Sequence, residues 1–192
     1  MDSSKIKNLI EGYMKSTNRK GIKDLLNHME VSGFYDAPCS SKFHLSNEGG
    51  LAQHTVNVLT MALKLNESLE ANIPEESIII AAILHDLGKM GDYGKSNYIE
   101  NILKSGKQSE AEPYKTNKDL LYVPHEIRSI AIAERFIALT EEEEFAILQH
   151  NGMYGELKYS LNGKETPLMM ILHWADMWAC RVIEKENDDG KV

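Results

Sequence analysis

The sequence has few cysteines, no long apolar segment and no excess of basic residues, and each of these shortages excludes a class of protein. Two cysteines, Cys39 and Cys180, among 192 residues are too few for a disulfide framework. The longest apolar run, residues 78–84, is far too short to span a bilayer. The N-terminus also lacks the apolar region of a signal peptide. These absences predict a reduced, cytoplasmic protein with no membrane partner.

Acidic residues outnumber basic ones, since 29 Asp and Glu stand against 21 Lys and Arg, for a formal net charge of −8. This balance argues against a surface built to hold the backbone of a long nucleic acid. It does not exclude a small anionic substrate held by a metal and a few local cations. With 42% hydrophobic and 26% charged residues, the composition is that of an ordinary globular domain with a sizeable core.

Apolar residues recur at helical spacing in every long segment, which predicts an all-α fold. One domain is expected over residues 1–192, in which the helices and loop of 1–48 pack on a core formed by 49–186. Helices are predicted at 4–15, 20–31, 49–71, 75–87, 96–104, 124–139, 141–149 and 167–186. One small β-hairpin is predicted within residues 107–123, with two short strands joined near 117–119.

The apolar run 78–84 leads directly into His85 and Asp86, and Gly88 and Lys89 follow. An ionised Asp on the apolar face of a buried helix is costly unless it is paired. A metal ion would satisfy the adjacent imidazole and carboxylate together. Because His-Asp is a short pattern, a buried helix with a polar end explains the stretch equally well when it is taken alone.

Four other side chains of metal-ligand type occur in the chain. His54 lies in line with apolar residues of its helix, and Asp176 is the one acid in the apolar part of the last helix. His125 falls in the first turn of a helix, where the dipole favours the neutral imidazole, and His150 lies at a helix end. His54 taken alone is also typical of a core histidine with a neighbour such as Asn57 as its partner.

These groups together predict a centre for one or two divalent metal ions. The first ion is assigned to His54, His85, Asp86 and Asp176. Asp86 has two oxygens, so it could bridge to a second ion held by His125 and His150 and hold the attacking water between the ions. Imidazole and carboxylate ligands suit Mn, Fe, Co, Ni or Zn better than Mg. Two ions about 3.5–4 Å apart can clamp the attacking and leaving oxygens of a phosphoryl displacement.

The order of these residues resembles that of the HD-domain superfamily of metal-dependent phosphohydrolases. The stretch GGLAQHTVNVL at 49–59 is similar to the family's first-His helix, and AAILHDLGK at 81–89 is similar to its HD helix. The stretch ILHWADMWA at 171–179 is similar to the helix of its last Asp. The resemblance covers about 49–186 and implies an HD-like helical fold and a metal-dependent hydrolase. His125 and His150 resemble the additional histidines of members that bind two metals.

Within the superfamily, the chain is most similar to small stand-alone bacterial HD proteins and to the HD part of certain bacterial 3′→5′ exoribonucleases. Those exoribonucleases carry an OB-fold beside the HD domain, and we expect the segment before Gly49 to be too short for one. Residues 150–155 read HNGMYG, so the signature of the HD-GYP phosphodiesterases is absent. The resemblance therefore indicates the reaction class and leaves the substrate open.

Cations near the motifs are candidates for substrate binding. Lys89 is expected to hold a phosphate oxygen and Arg128 to add a second charge, although both are also typical of solvated helix surfaces. Lys42, His44 and Lys115 lie in the loop and hairpin segments and are predicted to contact the substrate. A surface loop position is the alternative interpretation of His44.

The sequence therefore predicts a hydrolase of a small phosphate ester, a nucleotide phosphomonoesterase or phosphodiesterase with Asp86, Lys89 and Arg128 as catalytic residues. Two alternatives stay open, namely exonuclease-like activity on short RNA and a non-catalytic nucleotide-binding module. The presence of all six ligand-type residues favours an enzyme. The net charge of −8 favours a small substrate over a long nucleic acid.

Overall fold

A computed structural model describes residues 2–155 and 157–185 of the chain. Its helices are α1 Ser3–Ser16, α2 Ile22–Val31, α3 Gly50–Ser68, α4 Glu75–Leu84, α5 His125–Ala133, α6 Glu141–Gln149, α7 Lys158–Leu161 and α8 Pro167–Trp178. Two 3₁₀ turns, Leu87–Met90 and Gly152–Tyr154, follow α4 and α6, and a π-helical turn, Ala179–Ile183, continues α8. The predicted all-α fold is confirmed.

One small antiparallel hairpin interrupts the helices of the described chain. Its strands are β1, Tyr98–Glu100, and β2, Tyr114–Thr116. The prediction of a single hairpin is confirmed, but its position is partly wrong. The strand β2 pairs with β1, which precedes it in the chain, and not with a strand that follows residues 117–119. The prediction of a helix at 96–104 is also wrong. The backbone of this stretch forms β1 and hydrogen-bonds to the segment that contains β2.

Several helices end earlier than their apolar spacing predicts. The helix α4 stops at Leu84 before the 3₁₀ turn, and α5 stops at Ala133 instead of residue 139. The last helix changes to π geometry after Trp178, and its predicted end at residue 186 lies outside the described residues. Hydrophobic spacing identifies the buried face of a helix, whereas the last turn depends on local hydrogen bonds.

The core is built around α4, which is apolar on every side. Residues 78–84 are each at most 2% exposed, as expected for a helix surrounded by other helices. The helices α3, α6 and α8 pack around it, α8 packs against both α3 and α6, and α1 covers α3 and α4. This arrangement places His85 and Asp86, which directly follow α4, inside the molecule. None of the helices in the described ranges has both the length and the apolar character needed to cross a membrane.

The start of α5 packs closely on the turn after α4 because Gly88 has no side chain. A Cβ at this position would overlap the carbonyl oxygen of His125. The backbone N–H of Gly88 donates to the hydroxyl of Ser129 at 2.8 Å, and that hydroxyl donates to the carbonyl of His85 at 2.9 Å. These contacts fix the first turn of α5 beside the His-Asp pair.

A buried ion pair links the N-terminal part of the chain to the core. Glu143, whose side chain is fully buried, forms a capping box with Thr140. It also accepts hydrogen bonds of 2.6 and 3.0 Å from the guanidinium of Arg19. Burial acts to raise the pKa of Glu143, but the hydrogen bonds from Arg19 and Thr140 outweigh it, so the net shift is downward.

The lowered pKa of Glu143 predicts a loss of stability in acid. Such a carboxyl stabilises the fold fully above its ordinary pKa of 4.5, and this contribution is lost as the pH falls through the lower folded-state pKa. We expect Glu143→Gln to be less stable than the wild type near pH 7 and to lose less stability between about pH 5 and pH 2. Urea unfolding measures both quantities, with the exposed Glu142→Gln as the matched control. Equal losses in the wild type and Glu143→Gln would contradict this prediction.

Candidate metal centre

Asp86 occupies the middle of a buried cluster of imidazoles, and its side chain is 2% exposed. Its Oδ2 atom lies 3.5 Å from Nε2 of His54 and 3.4 Å from Nε2 of His85. Its Oδ1 atom lies 3.1 Å from Nε2 of His125 and 3.7 Å from Nε2 of His150. The two oxygens of one carboxylate therefore face two different pairs of histidines.

Asp176 joins this cluster from α8, with its Oδ1 atom 3.2 Å from Nε2 of His54. The structure thus brings together all six residues that the sequence predicts as metal ligands. The ligand atoms of His54, His85 and Asp176 lie within 4.8 Å of one another, and so do those of His85, Asp86 and His150. Either group is compact enough to hold a metal ion.

Backbone carbonyls fix the ring orientation of two of these histidines. Nδ1 of His85 donates to the carbonyl of Ala82 at 2.9 Å, and Nδ1 of His150 donates to the carbonyl of Ile147 at 2.7 Å. In both residues the acceptor lies three positions earlier, in the last turn of the preceding helix. Because Nδ1 carries the proton, Nε2 presents its lone pair to the centre of the cluster.

Glu184 holds His54 in the same way, and sequence analysis missed this residue. Its buried Oε1 atom accepts hydrogen bonds from Nδ1 of His54 at 2.9 Å and from the amide of Asn57 at 3.0 Å. Burial acts to raise the pKa of Glu184, but the bond from His54 outweighs it and the pKa is lowered. A carboxylate behind a ligating histidine orients the ring and raises its basicity.

The π-helical turn explains why Glu184 was missed. The N–H of Glu184 bonds to the carbonyl of Ala179, five residues earlier, whereas an α-helix bonds four residues earlier. The extra residue rotates the chain, so α-helical spacing from Asp176 does not give the direction of Glu184. The sequence offers one weak signal, an acid that directly follows two apolar residues.

The charge states of His150 and Asp86 suit metal ligation. Burial lowers the pKa of His150 to about 3, so the imidazole of His150 is neutral. Burial acts to raise the pKa of Asp86, but the charge of Lys89, whose Nζ lies 2.7 Å from Oδ2, outweighs it and the pKa falls well below its usual range. Neutral imidazole and ionised carboxylate are the forms that bind metals.

Two of the residues predicted to contact the substrate, Arg128 and Lys115, lie away from the cavity that opens beside Asp176. Arg128 is buried, donates to the carbonyl of Leu121 at 2.7 Å and lies 3.8 Å from Asp92. Lys115 is exposed on β2. Neither belongs to the described residues that line the cavity. Their roles in substrate binding stay predictions, as does contact between Lys89 and a phosphate.

A cavity of about 490 Å³ opens beside Asp176. Its lining includes Lys42, Phe43, His44, Tyr154, Arg181 and Lys185. The predicted contacts Lys42 and His44 therefore lie at the cavity, together with two cations that sequence analysis did not single out. The volume is that of a site for a small ligand. Because Asp176 belongs to both the lining and the cluster, the cavity leads to the candidate metal centre.

The spacing of these residues along the chain matches a known family. The family model for the HD domain matches residues 51–177, a range that contains all six predicted ligands. This chain belongs to the HD-domain family. The family consists of metal-dependent phosphohydrolases that bind divalent ions, which confirms the resemblance found in the sequence.

Three relatives illustrate the range of HD-domain proteins to which the chain is similar. The dihydroneopterin 2′,3′-cyclic phosphate phosphodiesterase of Methanocaldococcus jannaschii is 39% identical over 62 residues, 30% of this chain and 25% of that protein. The 3′-5′ exoribonuclease YhaM of Geobacillus sp. is 27% identical over 166 residues, 85% of this chain and 47% of that protein. The 3′-5′ exoribonuclease YhaM of Bacillus subtilis is 27% identical over 167 residues, 85% of this chain and 48% of that protein.

The chain thus spans about half the length of these exoribonucleases and about a quarter of the phosphodiesterase. No solved structure matches the chain at a significant level.

Proposed function

We propose that this HD domain hydrolyses a small phosphate ester, a nucleotide phosphomonoester or phosphodiester, at a centre for two divalent ions. The observation that carries the proposal is the carboxylate of Asp86, whose two oxygens face separate pairs of histidine Nε2 atoms. The first ion is assigned to His54, His85, Asp86 and Asp176, and the second to Asp86, His125 and His150. This donor set suits Mn, Fe, Co, Ni or Zn better than Mg.

The donor atoms fit such ions on physical grounds. Oδ1 of Asp86 is buried and has no hydrogen-bond partner among the described residues. The Nε2 atoms of His125 and His150 face each other at 3.4 Å, although the His150 ring carries its proton on Nδ1. A bound divalent ion supplies Lewis acidity to a phosphoryl oxygen and lowers the pKa of a coordinated water.

Other side chains of the protein prepare the site for an anionic ester. Glu184 orients His54, and Lys89 keeps Asp86 ionised. Lys42, Arg181 and Lys185 place three positive charges around the cavity of a protein whose net charge is −8. Cations of this kind bind phosphate oxygens through charge-assisted hydrogen bonds.

Two exposed aromatic side chains support a nucleotide as the ester. Phe43 is 66% exposed and Tyr154 is 74% exposed, and both line the same cavity as the cations. Exposed rings beside a phosphate-binding site can stack on a base without selecting its sequence. The cavity therefore combines features for a phosphate and for a base within the volume of one small ligand.

Activity on short RNA is the second candidate function. It is favoured by two relatives that each align with 85% of this chain and are named 3′-5′ exoribonucleases. The net charge of −8 argues against it, because tracking a nucleic-acid backbone requires many cationic contacts. We therefore propose a small phosphate ester as the substrate in preference to short RNA.

A panel of mononucleotides, cyclic nucleotides, dinucleotides and short RNAs with added Mn²⁺ tests the proposal. We expect turnover of a mononucleotide-sized ester. Arg181→Ala should raise its KM roughly tenfold or more, since a hydrogen bond to a charged group contributes about 1.5–3 kcal/mol. Lys64→Ala, which removes an exposed cation from α3, is the matched control and should leave KM unchanged.

Binding of a single-stranded oligonucleotide at increasing salt separates the two candidate functions. Tight binding with a steep salt dependence, without turnover of mononucleotides, would favour activity on RNA. Bound metal without turnover of any ester would instead identify a non-catalytic nucleotide-binding module.

A further inference from the structure

The two cysteines of the chain converge on one imidazole, although they come from opposite ends of the sequence. Nε2 of His44 lies 3.4 Å from Sγ of Cys39, 3.4 Å from Sγ of Cys180 and 3.8 Å from Oε2 of Glu184. An imidazole nitrogen carries one lone pair or one proton, so it forms a good hydrogen bond with one of these atoms at most. Hydrogen bonding therefore does not account for this whole set of contacts.

The second oxygen of Glu184 is an independent indication of a ligand. The Glu184 side chain is fully buried, and its Oε1 atom is satisfied by His54 and Asn57. Its Oε2 atom has no hydrogen-bond partner within residues 2–155 and 157–185. A buried carboxylate oxygen without a partner is costly, so a cation on the His44 side would stabilise it.

We propose that His44, Cys180 and Glu184 form a second metal site beside the HD centre, for a thiophilic divalent ion such as Zn²⁺. Their ligand atoms lie within 4.8 Å of one another and of a nitrogen of His54, the residue that the two sites have in common as a neighbour. Nitrogen, sulfur and oxygen donors of a tetrahedral zinc ion are about 3.3–3.8 Å apart, so a small contraction of the group completes the site. On binding, the Cys180 thiol releases its proton to solvent and the sulfur–metal bond forms. One thiolate and one carboxylate then balance the charge of the ion.

This site has access to the cavity. His44 and Cys180 both line the cavity, and Sγ of Cys180 lies 3.3 Å from Oδ1 of Asp176. Three protein ligands leave one coordination position of a tetrahedral ion for water or for an oxygen of a ligand. If the proposed function holds, the ion adds positive charge to the wall beside which the phosphate binds. The metal site itself does not depend on that function.

Cobalt substitution tests the site, because a thiolate ligand gives Co²⁺ a charge-transfer band in the near ultraviolet that imidazole and carboxylate ligands do not give. We expect the wild-type chain loaded with Co²⁺ to show this band. Cys180→Ser should lose the band and about one equivalent of metal. Cys39→Ser is the matched control and should keep both, since Cys39 touches the same His44 nitrogen but lies outside the compact ligand group.

Asp86→Asn distinguishes this inference from the proposed hydrolase centre. This variant should lose the metal of the HD centre and keep the thiolate band. A wild type without the band, or a band lost in Cys39→Ser and kept in Cys180→Ser, would overturn the thiolate site and leave the HD centre intact. Full metal content in Asp86→Asn would overturn the HD assignment and leave the thiolate site standing.

Discussion

Asp86→Asn is expected to reduce hydrolysis on the order of a thousandfold or more and to remove metal from the HD centre. The carboxylate faces all four Nε2 atoms of the cluster, so its loss affects both proposed ions. An amide has no charge and one acceptor oxygen, so it cannot bridge two cations as a carboxylate does. Metal analysis of chelator-free protein and the turnover of the best small ester measure the two effects.

Asp92→Asn is the matched control for Asp86→Asn. Asp92 is also buried and also ion-paired, with its oxygens 2.9 and 2.6 Å from the guanidinium of Arg135, but it lies outside the metal cluster. We expect this control to lower stability while keeping metal and activity. Equal metal content in the wild type and Asp86→Asn would rule out the assignment of Asp86 as a ligand.

Gly88→Ala is expected to destabilise the chain by about 1–3 kcal/mol, the usual cost of overpacking a tight contact. The added Cβ would overlap the carbonyl oxygen of His125 and lie 2.9 Å from Cβ of Arg128 and 3.0 Å from N of Ser129. Relief requires α5 to move away from the turn after α4. That movement would carry His125 away from Oδ1 of Asp86, now 3.1 Å from Nε2, so hydrolysis should fall as well.

Thermal unfolding and metal content together measure the effect of Gly88→Ala. In a domain of this size, 1 kcal/mol corresponds to about 2–4 °C in Tm. Gly12→Ala on α1 is the matched control, because a Cβ there has no neighbour within 4 Å and alanine favours a helix by up to about 1 kcal/mol. A Tm for Gly88→Ala at or above that of the wild type would show that α5 does not depend on this contact.

The candidate metal centre was predictable because each of its main proposed ligands is conspicuous in its own helix. Asp86 follows a run of apolar residues, and Asp176 is the one acid in the apolar part of its helix. A polar group on a buried face requires a partner, and this requirement can be inferred from the sequence alone. His125 and His150 give a weaker signal, because residues at helix ends are often polar.

The hairpin and the thiol-containing site were less predictable for a different reason. Both depend on which distant segments meet. The residues of β1 are compatible with a capped helix, and the contact with β2 decides against it. His44 and Cys180 approach each other through the packing of a loop against the turn after α8, and no local spacing encodes that approach. Long-range contacts override local preference in both places.

The π-helical turn makes the site sensitive to chain length as well as to residue type. Such a turn accommodates one residue more than an α-helix between the same neighbours. If residues 179–183 adopted α geometry at their present length, Glu184 would turn by about 100°, the rotation of one residue, away from His54 even if every ligand were kept. Removing one residue along with the π turn would instead leave Glu184 facing His54. The direction of Glu184 therefore depends on the match between the number of residues in this segment and its backbone geometry.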